Sequence, residues 1–142
     1  MTEKFSNFED GLVVFCAKRS VPSRRWQKIP RSQVLDIFSP VDVLVYTKDS
    51  ALANGWWGIA FSVYRKLVDS GRDWLLVLLV RDGEEGYLLS GTQVSGMVTA
   101  LSTNATEHIL HESDASSGFH FRTFEEAYSR ILAAAPKQYA NY

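Results

Sequence analysis

The chain holds one cysteine in 142 residues, Cys16, so it can form no internal disulfide and no metal site made of cysteines alone. The setting of Cys16 in Leu12-Val-Val-Phe-Cys-Ala17 reads as the interior of a strand, with the thiol acting as a small buried hydrophobe rather than a reactive group. Long apolar runs are missing too. The longest, Trp74 to Val80, has seven residues, whereas a bilayer span needs roughly 20. The first ten residues carry acids where a secretory leader needs a basic start and an apolar stretch. No membrane association is therefore expected, and a cytoplasmic location is.

Repeats, low-complexity tracts and linkers are also lacking. A chain of this length suits one globular domain over 1–142, burying roughly two-thirds of its unfolded surface. Its net charge of −1 points to no partner by itself. Gly55-Trp-Trp-Gly58 has neither the spacing of a dinucleotide-binding loop nor the ending of a phosphate-binding loop, and Gly-x-Ser-x-Gly does not occur. No cofactor is expected.

The apolar pattern predicts a mixed α/β domain. A first strand is expected over Leu12–Cys16, then a short helix over Gln33–Phe38 opened by Pro30 and Ser32 and stopped by Ser39-Pro40. Val41–Thr47 reads as a strand covered on both faces, interrupted only by Asp42. Ile59, Val63 and Leu67 predict an amphipathic helix over Ile59–Asp69, and Trp74–Val80 a central strand. Strand, helix and strand in this order form a βαβ unit with parallel strands. Asp82-Gly83 should turn the chain back into an antiparallel strand, Gly86–Leu89. A helix capped by Thr92, short strands over Glu107–Glu112 and Phe119–Phe121, and a C-terminal helix capped by Thr123 and Glu126 complete a mixed sheet between helical layers; an α+β arrangement is the alternative.

Charge is distributed unevenly. Lys18, Arg19, Arg24, Arg25, Lys28 and Arg31 are six of the fifteen basic residues, and no acid lies between Asp10 and Asp36. Arginine matches phosphate with a planar fork, lysine adds a point charge, and Trp26 within the stretch could stack on a base. The alternative is a solvated loop with Trp26 folded onto the body. Trp56 and Trp57 follow a predicted parallel strand, where open α/β sheets line their ligand crevice. They are either a stacking surface or plugs for the core. If the first strand is parallel to the other two, the basic loop, Lys48-Asp49, Trp56-Trp57 and Asp82-Gly83 share one rim.

Chemistry is thinly represented. His108, His111 and His120, with Glu107 and Glu112, fall within fourteen residues, but on a strand His108 and His111 point to opposite faces, and no metal site is expected. A metal-dependent nuclease of the restriction-enzyme type needs an aspartate and a nearby Glu-x-Lys or close variant. Asp42 could supply the first, but Glu-x-Lys, Gln-x-Lys and Asp-x-Lys are all absent. Gly55-Trp-Trp-Gly-Ile59, an amphipathic helix, an apolar strand and Glu85-Gly-Tyr-Leu-Leu89 resemble in outline small nuclease-like domains of bacterial defence systems; the absent motif departs from that pattern, and no family is assigned.

The leading functional expectation is a nucleic-acid- or nucleotide-phosphate-binding domain using Lys18, Arg19, Arg24, Arg25, Trp26, Lys28, Trp56 and Trp57. A protein-binding regulatory or immunity-type module without activity is the alternative. A phosphodiesterase or nuclease lacking the acid–lysine motif, with the histidines as acid and base, is the third.

Overall fold

The run that begins at Trp74 is apolar throughout because it is buried on both faces. The structure, a computed structural model, describes residues 2–29, 34–38, 41–49, 56–80 and 83–139, with side chains throughout except 2–6 and 134–139. In chain order these form α1 (Thr2–Lys18), β1 (Ser23–Arg25), β2 (Val34–Ile37), β3 (Val43–Asp49), β4 (Trp57–Ala60), α2 (Phe61–Asp69), β5 (Asp73–Leu79) and β6 (Gly86–Ser90). They continue with α3 (Gly91–Met97) and a 3₁₀ turn, then β7 (Ser102–Thr103), β8 (Glu107–Leu110), α4 (Glu112–Ala115), β9 (Phe119–Phe121) and α5 (Phe124–Tyr139).

Six strands make a mixed sheet in the order β1-β2-β3-β5-β6-β9; β3 and β5 are parallel and all other neighbours antiparallel. Strand residues alternate between two cores, as a period of two requires. Leu35, Ile37, Val43, Val45, Leu75, Val77, Leu79 and Leu88 meet α1 and α5 on one face. Val34, Leu44, Tyr46, Trp74, Leu76, Leu78 and Leu89 face α2, α3 and a small antiparallel sheet, β4-β8-β7, on the other. The mixed α/β layering is as predicted, including the parallel pair β3/β5 around α2 and the antiparallel return of β6.

Two predicted elements are the opposite of what forms. Leu12–Cys16 is the end of α1, not a strand. Phe8, Leu12, Phe15 and Cys16 are buried at helical spacing, while Val13 and Val14 between them are exposed. Gly11 misleads here, since it reads as a boundary yet lies inside the helix, where a Cβ would overlap the Tyr128 ring. That hydroxyl donates to the Phe8 carbonyl at 2.9 Å and ties α5 to α1. Burial pushes the Cys16 thiol up to about 11, so it stays protonated, in keeping with a packing role.

Val34–Ile37 is a strand, not a helix, because all four side chains are buried, with Val34 in one core, Leu35 and Ile37 in the other, and Asp36 paired with arginines. A helix would have put one face in water. Pro30, Ser32, Gln33, Ser39 and Pro40 lie outside the described residues, as do Arg31 and Asp82. Asp42 precedes β3 instead of interrupting it, with a positive φ of 52° that aspartate tolerates better than most side chains. The cap of α3 is Ser90, whose hydroxyl accepts from the Gln93 amide while Gln93 closes the box in return. Thr123 accepts from Glu126 N as expected, and α5 continues past Pro136.

Candidate nucleic-acid interface

The basic stretch folds as the end of a helix followed by the edge strand of the sheet. Lys18 and Arg19 close α1, Arg24 and Arg25 lie on β1, and Lys28 is on the exposed turn beyond it. Because neighbours on a strand point to opposite faces, Arg24 and Arg25 separate. Arg25 reaches under α1 to Glu9, with Nη2 3.2 Å from Oε1, and Arg24 turns to Asp36 on the other face, with Nε 3.4 Å from Oδ2. Both guanidinium side chains stay more than half exposed, at 55% and 63%. Arg19 lies over the Phe15 ring, its Cζ 3.5 Å from the centroid, and donates to the Phe15 carbonyl.

The acids opposing these groups are buried beneath them. Asp36 is 4% exposed and also accepts from Arg72 Nη2 at 2.7 Å. Arg72 stands 36 residues away in sequence, so nothing local could have singled it out; only the pairing of β2, β3 and β5 brings it to Asp36. The cleft of about 470 Å³ around this pair also holds Asp42 and Asp73, so the cleft itself has no net attraction for an anion. The exposed cations of the basic stretch are Lys18 and Arg19 at the end of α1, Arg24 and Arg25 on the edge strand β1, and Lys28 on the turn after it.

Glu9 was legible only as an acid flanking the basic loop. It is buried on α1, and its Oε2 has no partner among the described residues. Burial raises its pKa above the usual 4.5, against the opposing pull of Arg25 and with a small added push from Asp10. The unfolded chain therefore ionises first as pH rises through 4.5, and wild type loses stability from there upward. Glu9→Gln removes that loss. Its urea midpoint should gain on wild type between pH 4 and pH 7, and an equal gap at both pH values would contradict the assignment.

The tryptophans divide differently from the expectation of a stacking surface. Trp57 is fully buried, its indole N–H donating to the Leu79 carbonyl at 3.0 Å and its ring edge-on to Tyr87. Trp26 is buried in the same core. Neither ring can stack on a ligand while the protein is folded. Trp56 is half-buried, and Ala53-Asn54-Gly55 beside it lie outside the described residues.

The predicted common rim forms only in part. The parallel pair brings Lys48-Asp49 and the end of β5 to one edge. Since Leu12–Cys16 is helical, however, Lys18 and Arg19 leave α1 at the opposite end of the sheet, and only the turn after β1 approaches the rim. Lys48 is half-buried there, and burial lowers its pKa against the opposing effects of Glu107 and Asp49.

The histidines have separate surroundings. His108 sits on β8 between Phe61 and Tyr64, His111 caps α4, and His120 on β9 stacks on Tyr87 and contacts Glu85. Among the described residues no three histidine, cysteine, aspartate or glutamate side chains gather as a metal site. No helix among them is long and apolar enough to cross a membrane.

The class defined by this architecture is a mixed α/β fold, a six-stranded sheet between helical layers with one parallel pair at its centre. Holliday junction resolvase Hjc from the archaeal hyperthermophile Archaeoglobus fulgidus has a similar fold, with a TM-score of 0.55 over 89% of this chain and 96% of that one. The two sequences are 14% identical, so the likeness is one of fold. No family model and no curated protein matches the chain.

Proposed function

We propose that this protein binds nucleic acid, contacting the phosphodiester backbone along the sheet edge with Lys18, Arg19, Arg24, Arg25 and Lys28. The observation that carries the reading is the segregation of charge: the cations are exposed, while Glu9 and Asp36, which pair with two of them, are buried beneath. Such a strip meets phosphates spaced along a strand without needing a pocket. The fold likeness to a Holliday junction resolvase supports it. A cytoplasmic site of action accords with that role. Because the chain lacks an acid–lysine motif, the reading is one of binding and assigns no cleavage.

A second reading, a protein-binding regulatory module, is favoured by one observation, the adjacent exposed Val13 and Val14 on α1. Lys18→Glu/Lys28→Glu separates the two, because both side chains are exposed and neither makes an ion pair among the described residues. Fluorescence anisotropy with a labelled oligonucleotide should show affinity falling at least about tenfold with thermal unfolding unchanged. Unaltered affinity would remove the basic strip as the interface.

A further inference from the structure

With Trp26 and Trp57 buried, the exposed aromatic surface lies elsewhere. The outer face of α2 places Phe61, Tyr64, Arg65 and Val68 at one-turn spacing, and with Asp69, Val98 and His108 they wall a cleft of about 540 Å³. Phe61 is 36% and Val68 46% exposed, while Leu67 on the same helix carries the contact with the core. The volume is that of a site for a nucleotide-sized ligand.

We propose that this cleft receives an unpaired nucleobase, stacked against Phe61 and bounded by Tyr64 and His108. The proposal rests on the nucleic-acid reading above and assigns that reading a preference for single strands. Three features fit the ligand. The walls are held in place: the His108 ring is edge-on to Phe61 at 4.6 Å and to Tyr64 at 5.5 Å, and the Tyr64 hydroxyl donates to Ser95 Oγ at 3.0 Å. A fixed aromatic wall loses little freedom when a flat ring docks on it.

The polar groups are those a base edge requires. Arg65 can donate to ring nitrogens or carbonyls, and Asp69 can accept from an exocyclic amine. His108 Nδ1 is buried without a partner among the described residues, and an unpaired lone pair is tolerated there better than an unpaired N–H. That arrangement favours the tautomer with its proton on Nε2, and burial lowers the pKa of the ring. A neutral ring adds no further charge beside Arg65 and Asp69. A purely apolar ligand would leave Arg65 and Asp69 unused.

The test compares three labelled probes of equal length by anisotropy: a single-stranded oligonucleotide, the same strand with abasic residues throughout, and a duplex. Wild type should bind the base-containing strand roughly tenfold more tightly than the abasic one. Phe61→Leu, which keeps an apolar side chain but removes the ring, should erase that difference and leave the salt dependence intact. Phe61→Ala, checked for folding by circular dichroism, should do the same. Equal binding of abasic and base-containing strands by wild type, with Lys18→Glu/Lys28→Glu still weakening both, would overturn the base site and leave the backbone-binding reading standing. Failure of every probe to bind would overturn both.

Discussion

Trp57→Ala should lower the stability by about 3–5 kcal/mol, a large share of a total that for a natural domain is about 5–15 kcal/mol. Its indole is buried in the core on the α2 face of the sheet, and its N–H satisfies the Leu79 carbonyl. Alanine deletes the ring and opens a cavity between β4 and the end of β5; phenylalanine keeps most of the packing and loses the hydrogen bond, at about 1 kcal/mol. Urea denaturation followed by far-ultraviolet circular dichroism checks both. Wild-type stability in Trp57→Ala would mean that the ring stands in solvent, restoring it as a candidate stacking surface. Trp57→Phe, still folded, should bind oligonucleotides as wild type does.

Asp36→Asn should produce the second large effect, a loss of about 2–4 kcal/mol, below the upper range for a broken buried ion pair because Arg24 and Arg72 are both partly solvated. Asp36 neutralises two guanidinium groups from distant parts of the chain, and Arg72 Nε is already buried without a partner among the described residues. Without the carboxylate charge, Arg72 loses its 2.7 Å partner while its side chain stays mostly buried. Replacing both partners, as in Asp36→Leu/Arg72→Met, should recover much of the loss, since neither charge then needs solvation. The double-mutant cycle over these positions measures the coupling in urea. Additive effects would show that the 2.7 Å contact contributes nothing.

The sequence reveals elements whose burial is one-sided or complete and conceals those whose spacing fits two periods. Trp74–Leu79 and Val43–Thr47 are apolar on both faces, which only a central strand of this length explains, and α2 has one apolar stripe. Val34, Leu35 and Ile37 are different. Their spacing satisfies a helical face as well as a strand buried on both sides, and Asp36 among them looks solvent-facing until Arg72 arrives from 36 residues away. In α1 the adjacent Val13 and Val14 imitate a β-branched run, although both face water. A run of valines carries the same local propensity whichever side it faces; tertiary packing decides.

The candidate site was legible as charge and not as geometry. The basic stretch stands out in the sequence, but its alternation across β1, which sends Arg24 and Arg25 to different buried acids, depends on the edge strand that forms there. Tryptophan content left stacking and packing both open, and Trp26 and Trp57 serve the core. The open aromatic cleft is built from Phe61, Tyr64 and His108, whose meeting requires the pairing of β4 with β8, and no local pattern encodes that pairing.

The salt dependence of oligonucleotide binding tests nucleic-acid recognition by the basic strip most directly. With four or five phosphate contacts, log K should fall against log salt concentration with a slope of about −3 to −4, a loss of roughly a hundredfold between 50 and 200 mM. Lys18→Glu/Lys28→Glu should flatten that slope by about two. A slope near zero in wild type, or the same slope in both proteins, would contradict the account.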